Sequence, residues 1–191
     1  MLLVLTVVCV GSGALLAWVF RVTEKPIAEA AAQTRIRAIS GVLPHYDNDP
    51  LADCVIVVPV SGGEPMKVYP AKVGEELTGV AVESYSTGGF SGRIEVMVGF
   101  DTRGILIDYY VMSHSETPGL GAKMDTWFRS EVASRSVIGR DPGASRFKVS
   151  KDGGDIDGIT AATITSRAFL DAVRRAHDVV FDDNVLKPLA P

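Results

Sequence analysis

Residues 2–20 carry no charged side chain. The run is built from Leu, Val, Ala and Gly, with single Thr, Ser, Cys, Trp and Phe interruptions. At about 1.5 Å per residue, a helix over this run reaches roughly 28 Å, close to the hydrocarbon thickness of a bilayer. Trp18 and Phe20 close it and Arg21 follows, an aromatic and basic pairing suited to a membrane interface. A cleaved signal peptide is the competing account. It wants a basic residue ahead of a shorter apolar core and a small-x-small cleavage site. No basic residue precedes the run, and Ala17-Trp18-Val19 makes a poor cleavage site. Residues 1–21 therefore read as an uncleaved single-span anchor. Arg21 and Lys25 follow the span, which by the positive-inside bias alone points the remainder to the cytoplasm, with Glu24 weakening the signal.

The remaining length suits one domain of ordinary size. Cys9 lies within the span and Cys54 opens an apolar run, so the two do not bridge, and neither sits in a zinc or iron–sulfur spacing. A net charge of −4 and the lack of a basic stripe argue against nucleic-acid binding.

Residues 22–44 read as a connecting segment, with a helix over 26–39 in which Thr23 caps, Pro26 sits near the first turn and Gly41 stops the chain. Residues 44–50 read as a loop, and residues 45–191 as the domain. Strands are expected over 54–60, 79–84, 93–100 and 105–112, the last two joined by a hairpin turn at Asp101-Thr102-Arg103-Gly104. Residues 84–92 look too glycine-rich for a buried strand; Phe90 sits in their middle, and a flexible turn and a ligand contact are both open. A helix is expected over 122–133, with Met124, Trp127, Phe128 and Val132 as core contacts. A short strand is expected over 147–150 and an acidic turn over 151–157. The last helix should start at Thr163 or Ile164 and reach Phe181, burying Ile164, Ala168, Ala172, Val173, Ala176 and Val180, with residues 182–184 ending it. Hairpins and helices out of strict alternation point to an α+β fold: one transmembrane helix, then an antiparallel or mixed sheet with flanking helices.

Two segments carry chemistry. Thr160, Thr163, Thr165 and Ser166 crowd the mouth of the last helix. Free backbone N–H groups and a partial positive charge suit that position to a phosphate, and a hydroxyl there can also carry one covalently. The plainer alternative is that Thr160, Thr165 or Ser166 caps the helix. The second segment, His114-Ser115-Glu116-Thr117-Pro118-Gly119-Leu120-Gly121, follows directly on a strand. Pro118 and Gly119 make a tight turn, the glycines let backbone approach a flat ligand, Glu116 and Thr117 offer polar groups, and Leu120 offers an apolar surface. On its own it is a turn with an option to bind. His45, His114 and His177 have no ligand spacing, and the 152–158 turn lacks the alternating oxygens and final Glu of a calcium loop, so no metal site is expected. Met124 replaces the third glycine of a dinucleotide loop after Gly119-Leu120-Gly121. Residues 89–93 lack the last glycine of a hydrolase elbow, and no His–carboxylate pair accompanies a nucleophile, so no catalytic residue is assigned.

With the anchor and the 114–121 turn, Asp157-Gly158-Ile159-Thr160-Ala161-Ala162-Thr163 resembles the FMN-binding G subunit of the Rnf electron-transport complex. More distantly, it resembles the C subunit of the sodium-pumping NADH:quinone oxidoreductase, which is typically longer. The family pattern is Asp, two residues, then Ser/Thr-Gly-Ala-Thr/Ser; here Ala161 stands in the glycine position. The resemblance implies covalent FMN in phosphoester linkage to Thr163, installed by a flavin transferase with FAD as donor. It implies that Glu116, Thr117, Gly119 and Leu120, with Thr160, Ala162 and Thr165, surround the cofactor. Lys123 and Lys151 are two candidate cations for the phosphate, a placement that the resemblance itself does not supply. It further implies an electron-relay subunit without independent turnover, seated among other membrane subunits of an Rnf-type ion-translocating complex. The domain would face the extracytoplasmic side of the cytoplasmic membrane, against the charge bias. An anchored module holding flavin non-covalently is the remaining alternative.

Overall fold

The computed structural model describes residues 1–60 and 62–181; the expected helix stop at 182–184 and the tail after it lie outside them. The chain divides into two compact units, Met1–Arg37 and Ala38–Pro191. Helix α1 spans Leu2–Val42 with Pro26 inside it, rather than a span and a separate helix. Thr23 is no cap: its hydroxyl donates to the carbonyls of Val19 at 2.9 Å and Phe20 at 3.2 Å, so it bonds back onto its own helix. Residues 21–25 contain no glycine to interrupt the winding. The first unit is helix from Leu2 onward, exposed along residues 2–20, and α1 is long and apolar enough to cross a membrane.

The second unit holds a five-stranded antiparallel meander in the order β1-β2-β3-β4-β5: Val55–Val57, Met66–Val73, Glu76–Gly89, Gly92–Asp101 and Leu106–His114. With helices packed on it, this is the α+β architecture expected. Strand β2 escapes a sequence reading because Pro70 interrupts it. β1 pairs only with Met66–Val68, so Pro70 has a partner strand on one side alone, a position that tolerates proline. The glycine-rich segment 84–92 is not a loop. β3 runs through it to Gly89, opposite Gly92, leaving a two-residue tip of Phe90 and Ser91. Ser84 and Ser86 are buried there because the last helix, α3 (Thr163–Phe181), accepts their hydroxyls: Ser84 donates to the Ala172 carbonyl at 2.8 Å and Ser86 to Asp171 at 2.7 Å. The Asp101 turn forms as expected. One Asp101 oxygen accepts the N–H groups of Arg103 and Ile105, each at 2.9 Å, and the other takes the Arg103 guanidinium. Partial burial works against its charge, but the Arg103 side chain and these N–H groups hold its carboxyl below the usual aspartate value.

Alternation along the strands separates two cores. Val80 and Val82 of β3, with Val96 and Val98 of β4, face helix α3 (Thr163–Phe181), which buries Ala168, Ala172, Val173, Ala176 and Val180. Ile164, expected in that stripe, is 48% exposed. On the other face Ala81 and Met97 meet Ala38, Ile39 and Val42, the last turn of α1 within the second unit. The helix expected over 122–133 is one short turn, α2 (Met124–Trp127), preceded by a 3-10 turn at Gly121–Lys123. After Phe128 the chain folds back, the Val137 N–H reaching the Phe128 carbonyl at 3.0 Å and the Ser130 hydroxyl accepting the Val132 N–H, so Val132 stays exposed. Met124 and Phe128 are buried as expected, with Phe128 stacked on Phe169 at 4.5 Å. In place of a strand at 147–150 there is a single parallel bridge, Val149 to Ile156.

A methyl added at Gly99 would lie 2.0 Å from the Val42 carbonyl oxygen. Gly99→Ala should therefore cost about 1–3 kcal/mol through overpacking, read as a lower midpoint in thermal or urea unfolding. Because the Asp101 carboxyl titrates below its unfolded value, its contribution is present above that value and fades as pH falls through the folded one. Asp101→Asn should flatten the acid limb of a melting-temperature profile between about pH 5 and 2.

Candidate functional site

Strand β5 delivers residues 114–121 to the end of the sheet beside the start of α3. The expected turn is formed: Gly119 takes φ 76°, and the Leu120 N–H reaches the Thr117 carbonyl at 3.2 Å. Pro118 and Gly119 thus hold the two central positions of a tight turn, the second one left-handed. Glu116 points inward and is only 4% exposed. One of its oxygens accepts the Ser91 N–H at 2.9 Å, from the tip between β3 and β4. The other accepts the hydroxyl of Thr165, in the first turn of α3.

The hydroxyl cluster divides by role. Thr165 is spent on Glu116, and Ser166 accepts the Ile159 N–H at 2.8 Å while donating to the Ala162 carbonyl at 2.9 Å. Ser166 therefore ties down the approach to the helix. Thr160 is exposed, and the half-buried Thr163 opens the helix, its hydroxyl 3.1 Å from the Lys151 ammonium. Just before it Ala161 adopts φ 62°, left-handed backbone that ordinarily selects glycine. Asp157 is fixed through its backbone: its N–H donates to the Ser134 carbonyl and its carbonyl accepts the Trp127 indole N–H at 2.9 Å.

Two clefts flank Thr163. The first, about 340 Å³, is mainly apolar; Phe90, Leu120 and Ile164 line it with Glu116, Thr117, Gly121, Ala162 and Thr165. The second, about 310 Å³, is polar and includes Arg135, Ser150, Lys151, Asp157 and Thr160. Ala161 and Thr163 border both. The structure therefore brings Glu116, Thr117, Leu120, Ala162, Thr163 and Thr165 together in one cleft. Thr160 lies in the other, and Gly119 shapes the turn without lining either. Among the described residues, no three His, Cys, Asp or Glu side chains gather as a metal site.

Residues 89–178 match the family model for the FMN-binding domain. Over 190 residues the chain is 35% identical to the G subunit of the ion-translocating oxidoreductase complex of Vibrio atlanticus (strain LGP32), covering 95% of this chain and 90% of that protein. It is 37% identical over 174 residues to the protein of the same name from Yersinia pestis, with 87% and 82% covered. The Escherichia coli (strain K12) protein of that name is 36% identical over 173 residues, again with 87% and 82% covered. The chain belongs to the G-subunit family of ion-translocating oxidoreductase complexes. The matched FMN-binding region begins at the β3–β4 tip and includes both the 114–121 turn and the entry to α3.

Phe90, Ala161, Ile164 and Lys151 are among the cleft residues that the motifs left unassigned or uncertain. Ile164 fits the apolar stripe of α3 by periodicity, yet its place in the first turn leaves it beyond the sheet and facing the cleft. Lys151 stands twelve residues from Thr163, and only folding the 3-10 turn Ser150–Asp152 against α3 brings them together.

The left-handed backbone at position 161 costs an L-residue roughly 1–2 kcal/mol, part of which glycine returns as unfolded-state entropy. Ala161→Gly should stabilise the protein by up to about 1 kcal/mol, roughly 2–4 °C in melting temperature. A lower melting temperature would show that the loop carries no such strain.

Proposed function

We propose that this chain is a membrane-anchored flavoprotein subunit that carries FMN esterified to Thr163 and relays electrons within an Rnf-type ion-translocating oxidoreductase complex. The observation that carries the reading is the placement of the Thr163 hydroxyl at the lip of an apolar cleft inside the matched FMN-binding region. The residues fit the group. The cleft volume lies within the range of small-molecule sites, its walls suit a flat ring, and its polar groups are few and convergent. Ala161 keeps the left-handed turn that the glycine of the family pattern would supply, so the approach to Thr163 retains its shape.

Flavin supplies the electron exchange. The chain's part is to hold the ring and to exclude water: Phe90, Leu120 and Ile164 give apolar cover, and Thr117 and Glu116 offer polar contact at the wall. Attachment would join Thr163 Oγ1 to the FMN phosphorus of FAD as the pyrophosphate bond breaks and AMP leaves, the hydroxyl proton passing to the transferase or solvent. The family resemblance and the apolar α1 support a place in the cytoplasmic membrane beside sibling subunits, with the domain on the extracytoplasmic side. A dedicated flavin transferase is the maturation partner.

Co-expression with a flavin transferase should add the mass of one FMN to the intact protein and give flavin fluorescence in a denaturing gel, both lost in Thr163→Val. Retained fluorescence in Thr163→Val would remove the acceptor assignment. A wild-type chromophore released into the supernatant by acid precipitation would establish non-covalent binding instead.

A further inference from the structure

Resting on the reading that Thr163 carries FMN, we propose that Lys151 is the residue that holds the cofactor's phosphate. The two clefts differ in chemistry and meet at Thr163: Phe90, Leu120 and Ile164 face one, while Lys151, Arg135 and Ser150 face the other. A group that is flat and apolar at one end and anionic at the other divides between them, with the phosphate on the polar side. The Lys151 ammonium already donates to the Thr163 hydroxyl at 3.1 Å. Once Oγ1 is esterified, the charged oxygens of the phosphodiester lie next to that ammonium, and an ion pair replaces a contact in which only the donor carries charge. A phosphodiester beside an apolar cleft needs such a partner, because an uncompensated charge shielded from water is costly.

The neighbouring cations are otherwise engaged. Arg135 lies over the Trp127 ring at 4.3 Å, and Arg167 forms a two-pronged pair with Asp152, both contacts at 2.7 Å. That pair also ties the Ser150–Asp152 turn to α3 and so fixes the base from which Lys151 reaches. Lys123 lines neither cleft. Lys151 itself is exposed, so replacing it leaves the core intact.

The test compares the full-length wild type, Lys151→Gln, Lys151→Arg and Lys123→Gln, each incubated with flavin transferase and FAD. Intact mass follows FMN incorporation, and ³¹P NMR of the flavinylated proteins reports the environment of the phosphodiester. Lys151→Gln should incorporate FMN about tenfold more slowly, the scale of a lost hydrogen bond to a charged group, and should shift the ³¹P resonance. Lys151→Arg should restore most of the rate, and Lys123→Gln should match wild type in both readouts. An unmoved ³¹P resonance in Lys151→Gln overturns the proposal whatever the rate, as does equal slowing by Lys123→Gln, which would mark a general charge effect on transferase docking. A wild-type protein that gains no FMN mass overturns the attachment reading and this proposal with it.

Discussion

The Glu116 carboxylate, almost wholly enclosed, joins three parts of the chain that are far apart in sequence. From the end of β5 it takes the Ser91 N–H of the β3–β4 tip on one oxygen and the Thr165 hydroxyl of α3 on the other. A buried carboxylate without such partners would be strongly destabilising, so tip, strand end and helix start must come together or none is at ease. Two glycines follow from it. A methyl at Gly89 would come within 2.7 Å of one Glu116 oxygen, and a methyl at Gly121 within 2.7 Å of the other. The resemblance placed Glu116 at the cofactor; its geometry makes it first a clamp that builds the cleft wall.

Among the hydroxyls at the start of α3, that clamp leaves Thr163 as the one available at the cleft. Thr165 and Ser166 are consumed by Glu116 and by the loop before the helix, and Thr160 faces the polar side. Apolar and polar surfaces then part on either side of residues 161–163. Ser166, inside the helix, ties the preceding loop to it rather than capping it, and Thr163 opens the helix at the cleft, where it is the acceptor in the proposed attachment. Trp127 and Arg135 stiffen the polar side, since the indole N–H holds the Asp157 carbonyl and the guanidinium covers the ring.

Elements with a strong local period were legible in the chain. The uncharged run of α1, the Asp101 turn and the apolar stripe of α3 each follow from side-chain spacing that one kind of element satisfies. Elements decided by a distant partner were not. Ser84 and Ser86 read as loop until α3 supplies acceptors for their hydroxyls, and Pro70 reads as a break until β1 proves too short to border it. The expected helix after Gly121 yields to hydrogen bonds that fold residues 128–137 back on themselves. Ile164 fits the buried face by period alone, and its position beyond the sheet moves it to the cleft.

The sequence by itself determined that the chain has a charge-free apolar helix long enough to cross a membrane, an α+β domain, a tight turn at Pro118-Gly119 and a hydroxyl-rich helix start, because each is written in adjacent residues. Only the tertiary structure decided which hydroxyl stays available, that Glu116 is a clamp, and that Lys151 meets Thr163. Those facts depend on which groups satisfy one another across the fold. A buried polar atom takes whichever partner folding brings within hydrogen-bonding distance, and sequence spacing does not specify that partner.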